Sequence, residues 1–333
     1  MRIRIVTPAR AGSRRGNRIT ADRWAKILRS LGHRVLVEES LSGGPCDLLV
    51  ALHARRSAAS VRRSRRDDPR RPIVLALTGT DLYGDIRRPG PARRTLALAD
   101  LLVVLQPLAV RELPRRLRRR VRVVYQSQSQ SIKGLRPRPA PPRDRFQVCV
   151  LGHLRAVKDP FRTAMAVRRL PARSRVRVVH AGAALDASMA PRARAEEARN
   201  PRYRWVGDLS RPRALRLLAS SRLLVLSSRQ EGGANVIGEA AVLGVPVLST
   251  RIPGSVGLLG ERYPGYFAVG DTRALAALVS RAEEDPAFHA RLRRACEGRA
   301  RLFAPALERA TWRRLLRELM RPGVRRGSSP PAR

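Results

Sequence analysis

Lysine is nearly missing from this chain: of 69 basic residues only Lys26, Lys133 and Lys158 are lysine, and the other 66 are arginine. Acidic residues number 26, so the formal net charge is +43, yet aromatic residues make up only 4% of the sequence. Proteins that hold nucleic acid combine a gathered basic stripe with stacking aromatics or a recognisable module. Here the arginines are spread along the whole chain, and no RNP-like or zinc-finger pattern occurs. With abundant Ala, Pro and Gly, the bias has the look of drift in a GC-rich coding sequence. A basic nucleic-acid-binding protein is therefore the rival from another class, and no specific nucleic-acid partner is expected. A field this positive still draws small anions towards a cleft.

Cysteine is scarce as well. Cys46, Cys149 and Cys296 are odd in number and far apart, with no CxxC pair or His/Cys cluster. That excludes a disulfide framework and gives no zinc site; Cys149, in FQVCVLG, reads as a buried core thiol. Long apolar runs are also absent. MRIRIVTPARAGSRR holds no stretch long enough for a signal peptide, and LALADLLVVLQPLAV is interrupted by Asp100 and Gln106. The expectation is a soluble, cytoplasmic protein without a transmembrane segment. No DxD stands at a strand end, and Asp67-Asp68 lies in a basic loop, so neither a metal nor another cofactor is expected.

What is present is an alternation. A length of 333 residues suggests two domains, and 43% hydrophobic residues suffice for packed cores. RIRIVTP (2–8), HRVLVEES, DLLVALHA (47–54), PIVLALTGTD (72–81), DLLVVL (100–105) and VRVVY (121–125) read as strands. TADRWAKILRSLG (20–32) reads as a helix that Thr20 caps. Runs of Val, Ile and Leu without polar alternation suit strands covered on both faces of a parallel sheet. QSQSIKGLRPRPAPPRDR (128–145) carries four prolines in a polar setting and reads as a linker that cannot enter a helix. The pattern then restarts with FQVCVLG, VRVVHAG (176–182), RYRWVG (202–207), RLLVLSS (222–228), VPVLST (245–250) and YFAVG (266–270), followed by helices over 272–320. The reading is an α/β chain of two Rossmann-like, doubly wound domains, 1–127 and 146–305, facing across a cleft lined by strand carboxyl ends. Residues 306–320 form a C-terminal helix, with the option of crossing back to the first domain, and 321–333 a flexible tail.

One stretch carries chemistry. SSRQEGGANVIGEAAVLGVPVLST (227–250) follows a strand, turns through a Gly-Gly pair and opens a helix that Gly244 stops. Close-approaching backbone N–H groups and a helix N-terminus make an anion site suited to a diphosphate. Carboxylates would repel phosphates, so Glu231 and Glu239, eight positions apart, should face hydroxyl groups. Glu239, placed in the first turn or so of the helix, could otherwise be only a favourable N-terminal acid.

This arrangement resembles the E-x7-E signature of nucleotide-sugar glycosyltransferases with the two-Rossmann-domain GT-B fold, in the glycogen-synthase-like (GT4-type) group. The resemblance implies a UDP-sugar whose ribose is held by Glu239. It also implies that Glu231, Gly232, Gly233, Ala234 and Asn235 cradle sugar and phosphate. VCVLGHLRAVKDP (148–160) is similar to the family's strand, Gly-Arg-Leu and following lysine. Lys158 falls on the lysine that neutralises the departing diphosphate, and His153 stands where the family has arginine. Either Arg155 takes over that contact or the contact is lost; Arg155 is favoured because leaving UDP gains from two cations.

In the first domain, RAGSRRGNRITADRW (10–24) corresponds to the loop that such enzymes close over donor phosphates or acceptor. It offers Gly16 and Asn17 to the donor and Arg14, Arg15 and Arg18 as an anionic-acceptor field. LALTGTDLYGD (75–85) places Thr80 and Asp81 on the acceptor side, with helix capping as the alternative for Asp81. ALHARRS (51–57) adds His53, Arg55 and Arg56. ALHARRSA, LTGTDLY and SSRQEGGANVIGEA, in this order, look like the selenosugar synthases of selenoneine biosynthesis (the SenB group). That likeness implies hexosyl transfer from UDP-GlcNAc or UDP-glucose to selenophosphate, forming a C–Se bond. The alternative is a hydroxyl acceptor, for which His53 or Asp81 would serve as base. A catalytically dead scaffold is disfavoured by the retained Lys158, Glu231 and Glu239.

Overall fold

The computed structural model describes residues 1–13, 16–135 and 144–320. Arg14, Arg15, the prolines at 137–142 and the tail from 321 lie outside the described residues. The chain divides into two compact units, one of residues 1–126 with 306 onward, the other of residues 127–305.

The first unit holds strands β1 (Arg2–Val6), β2 (Arg34–Glu38), β3 (Leu48–Leu52), β4 (Ile73–Leu77), β5 (Leu101–Val104) and β6 (Val121–Val123). They pair in the order β2-β1-β3-β4-β5-β6, all parallel. Alternate residues supply the two faces, as the two-residue period of a strand requires. Leu48, Val50 and Leu52 pack with Trp24, Leu28, Trp312 and Leu315, whereas Leu49 and Ala51 pack with Val61, Leu75 and Leu96. β2 lies at the edge and leaves Leu36 about half exposed, so it departs from the doubly covered strand that its composition suggested. The helix Pro305–Met320 belongs to this unit by its contacts. Glu308, buried, accepts from Trp24 Nε1 at 2.8 Å and pairs with Arg23 at 3.2 Å, and Trp24 meets Trp312 edge-on at 4.9 Å between centroids.

Three local expectations differ from the structure. The first helix runs Gly16–Ser30, so Gly16 and Asn17 sit in its first turn rather than in a loop. Thr20 is not its cap: its hydroxyl donates back to the Gly16 carbonyl at 2.9 Å and lies 2.6 Å from Gln126 Oε1. An interior Thr satisfies its hydroxyl on the preceding turn, which local propensity alone does not reveal. Strand β4 ends at Leu77, and Thr80 and Asp81 open the short helix Thr80–Tyr83.

The second unit holds β7 (Phe146–Leu151), β8 (Val176–Ala181), β9 (Tyr203–Trp205), β10 (Leu223–Leu226), β11 (Val247–Thr250) and β12 (Tyr266–Phe267). Their order is β12-β11-β10-β7-β8-β9, again all parallel. The first strand of the unit, β7, therefore lies centrally, and the winding reverses between β7 and β10. That reversal is the topological switch point of a Rossmann sheet, where ligands dock beyond the strand carboxyl ends. Before the first proline of the presumed linker, Gln130–Leu135 forms a 3-10 helix, so this part is not the non-helical stretch its polarity implied. Cys149 is fully buried in β7, and desolvation pushes its thiol up to about 12.

Candidate active site

The carboxyl ends of β7 and β10 open into a pocket lined by Gly152, His153, Lys158, His180, Leu226 and Ser228, among others. Two loops meet there because their parent strands are hydrogen-bonded neighbours. After β7 the chain passes through Arg155 and reverses at Asp159, which adopts the left-handed region (φ 46°) and is held by Arg162 at 2.8 Å. After β10, Ser227 Oγ donates to the carbonyls of Asp159 (2.9 Å) and Lys158 (3.2 Å), and the Arg229 amide donates to Val157 O at 2.8 Å. These bonds set Lys158 against Glu231, 73 positions on, in a direct ion pair. Ser228 Oγ donates to the same Glu231 oxygen at 2.6 Å, and the Ser228 carbonyl is itself held by Thr250 Oγ1 at 2.6 Å.

Two glycines make this approach possible. A Cβ on Gly254 would stand 2.0 Å from the Glu231 carbonyl oxygen, and one on Gly182 2.0 Å from that of Gly152. Neither position shows a local signature of its role. On the far side of Gly152, buried His180 donates from Nε2 to the Gly152 carbonyl (3.0 Å), while its Nδ1 accepts from the Tyr203 hydroxyl (2.9 Å). Complete burial lowers its pKa to about 4, so the ring is neutral and its tautomer is fixed by these partners. His153 Nδ1 accepts from the Ala183 amide at 3.1 Å, which ties the residue at the family's arginine position to the strand β8 side of the pocket.

The loop from Glu231 runs through buried Gly232, then Gly233 and Ala234, into the helix Asn235–Leu243, which ends at left-handed Gly244 (φ 65°). Glu239 is the fifth residue of this helix and lies at the start of its second turn, close to where the sequence placed it. It is largely buried and pairs through Oε1 with Arg211 Nη1 at 2.7 Å. A side chain in that place is not a simple N-terminal dipole acid, because the helix charge falls off within the first turn. Arg211, from the helix Arg211–Ala219, also donates to Gln128 Oε1 at 3.0 Å. Neither partner was singled out from sequence: one arginine among 66 offers no local distinction.

In the first unit, four of the predicted acceptor residues, His53, Arg55, Thr80 and Asp81, lie just after β3 and β4, whereas Arg18 lies in the helix Gly16–Ser30. Asp81, fully buried, receives the amides of Thr78 (3.0 Å), Gly79 (2.9 Å) and Ala54 (2.9 Å). It therefore ties two loops together and is not the N-cap, which is Gly79. His53 adopts φ 77°, an uncommon conformation for a residue with a Cβ, and is buried with Nε2 3.1 Å from Thr80 Oγ1. Its Nδ1 accepts from the Arg56 amide at 3.4 Å. Desolvation lowers its pKa, against the pull of Asp81 and Asp85. Arg55 pairs with Asp85 at 2.9 Å, and Arg18 with Asp22 at 3.0 Å, one turn along its helix. Among the described residues no three of His, Cys, Asp and Glu gather as a metal-ligand set. No helix among them is long and apolar enough to cross a membrane.

Solved structures define the fold. The chain is similar to Anabaena HepE in complex with UDP-glucose, at 17% identity over 96% of this chain and 100% of that one, with a TM-score of 0.77. It is similar to sucrose-phosphate synthase from Thermosynechococcus elongatus at 16% identity over 96% and 98%, with a TM-score of 0.76. A glycosyltransferase from Rickettsia africae follows at 13% identity over 96% and 98%, with a TM-score of 0.73. No curated protein matches the chain in sequence. The fold is thus the α/β, GT-B type of glycosyltransferases. The family model "Glycosyl transferases group 1" matches residues 132–301, just over half of the chain, and the protein belongs to that family.

Proposed function

We propose that this glycosyltransferase moves a hexosyl group from UDP-GlcNAc or UDP-glucose to selenophosphate. A C–Se bond forms at the anomeric carbon while the C–O bond to the diphosphate breaks, and UDP leaves with that electron pair. The observation that carries the donor half is the cluster of Lys158, Glu231 and Ser228 at the β7/β10 switch point. Lys158 would exchange part of its hold on Glu231 for the diphosphate, assisted by Arg155 and the amino end of the helix at Asn235. Glu231 and the amides of Gly232 to Asn235 would receive the sugar, with His153 at the pocket wall, and Glu239 would take the ribose hydroxyls. Gly16, Asn17 and the arginines of the 10–24 stretch, Arg14, Arg15 and Arg18, would serve donor phosphate and acceptor from the first unit.

The acceptor half is supported by what the candidate bases are doing. Asp81 accepts three backbone amides, and His53 has both nitrogens engaged. Neither is poised to deprotonate a hydroxyl. Selenophosphate needs no such help, since its selenium is already an anionic, soft nucleophile; Arg55, now paired with Asp85, and Thr80, now beside His53, would turn to the anion. Mass spectrometry of products from the purified protein, each UDP-sugar and selenophosphate tests this. A mass corresponding to hexosyl selenide, free or still carrying phosphate, together with stoichiometric UDP, is expected. UDP release that requires a sugar alcohol and ignores selenophosphate would assign a hydroxyl acceptor instead.

A further inference from the structure

Glu239 does not stand by itself in the second unit. Its Oε1 is met at 2.7 Å by Arg211 Nη1, and the other terminal nitrogen of the same guanidinium donates to Gln128 Oε1 at 3.0 Å. Gln128 is itself buried, and its backbone N–H donates to the Phe303 carbonyl at 2.8 Å. Phe303 and Gln128 together press on Gly238, where an added Cβ would meet the Phe303 ring at 2.9 Å and Gln128 Cγ at 3.3 Å. Gln128 thus both lies against the residue before Glu239 and accepts from Arg211. The Arg211 side chain remains 45% exposed, whereas that of Glu239 is 10% exposed. Arg211 is therefore the more solvent-accessible partner of the pair.

We infer that Arg211 is a positioning and specificity residue for Glu239, holding its carboxylate in one rotamer so that it receives the vicinal hydroxyls of a pentose. This rests on the reading of Glu239 as the ribose acid. A planar guanidinium bridging two fixed acceptors restrains direction as well as distance, which an ammonium cannot do. An acceptor held in advance does not need to be ordered when the ligand binds, so its loss should fall on the hydroxyl contact alone. The opposite role is a plug: an ion pair that must open before ribose can enter. The two roles differ in sign.

Titration calorimetry with UDP and 2′,3′-dideoxy-UDP on the full chain separates them. The wild type should prefer UDP by about tenfold or more, the scale of a hydrogen bond to a charged group. Arg211→Met should weaken UDP by about tenfold and leave dideoxy-UDP within twofold, so that the preference collapses. Arg211→Lys should restore only part of it, and Arg211→Met combined with Glu239→Gln should be no worse than Glu239→Gln. The positioning role is overturned if Arg211→Met tightens UDP, if it weakens both nucleotides equally, or if the two substitutions add. A wild type that does not distinguish the two nucleotides would instead remove Glu239 from the ribose, and this inference with it. Arg211 is half exposed at the start of a helix, and an unchanged thermal midpoint checks that each variant is folded.

Discussion

Gly254→Ala tests the geometry at a position that carries no motif. Residue 254 is second in the helix Pro253–Leu259, where alanine is intrinsically better than glycine by about 1 kcal/mol. Its new methyl would stand 2.0 Å from the Glu231 carbonyl oxygen, 2.8 Å from the carbonyl carbon and 2.9 Å from Glu231 Cβ. Ordinary contact requires the two segments to part by about 1 Å or more in a close-packed interior. Overpacking of this kind costs about 1–3 kcal/mol, so after the propensity gain the net loss is about 0–2 kcal/mol. At about 2–4 °C per kcal/mol, the midpoint should fall by no more than about 8 °C, and the protein remains folded at 25 °C. Activity should suffer far more. Glu231 is the residue displaced, and it carries Lys158 and Ser228 with it; misplacement on the order of 1 Å costs about 10²-fold. The assay is UDP release at 25 °C over a range of donor concentrations, beside a thermal melt. Gly43→Ala, where an added methyl meets nothing within 4 Å, is the control and should stay within threefold. If Gly254→Ala kept kcat/KM within threefold of wild type, the link from this glycine through Glu231 to turnover would be refuted.

The other expectations are simpler. Lys158→Ala should lower kcat by about 10²–10³, as loss of a group that meets charge developing on the leaving phosphate does, while Glu239→Ala should raise the UDP-sugar KM by about tenfold or more. Wild-type kinetics in both variants, with circular dichroism unchanged, would remove the site assignment. His180 is held at about 4 by burial, below its unfolded value near 6.5, so the unfolded chain takes up a proton that the folded chain refuses. Stability from this group is therefore full above about pH 6.5 and is lost as pH falls towards 4. Between pH 7.5 and 5, urea unfolding should show the wild type losing about 2 kcal/mol more than His180→Gln. An equal loss in both proteins would contradict a neutral, buried ring.

Much of the architecture was legible from local pattern. Among the described residues every strand falls within one of the predicted runs, because a parallel strand buried on both faces must be apolar on both faces. Edge strands show the limit: β2 leaves Leu36 half exposed and β9 leaves Arg204 exposed, which only their places at the sheet edges explain. Helix starts were less legible. Gly16 and Asn17 have poor intrinsic helix propensity, yet the first turn forms there, with Thr20 satisfied by Gly16 and Gln126 rather than acting as a cap.

What the amino-acid sequence determined by itself is the strand–helix alternation, the glycine turn between Glu231 and Glu239, and the single lysine after β7. Each of these is written within a few consecutive residues. Tertiary structure decided which groups became partners: Lys158 with Glu231, Arg211 with Glu239, Gly254 beneath Glu231, and the Ala54 amide with Asp81. Lys158 and Glu231 are 73 residues apart and Ala54 and Asp81 are 27 apart; they meet only because parallel crossovers set β7 beside β10 and β3 beside β4. In a chain with 66 arginines, side-chain identity cannot say which cation faces which acid; that choice is made by strand order and by close backbone contacts that leave room for one neighbour.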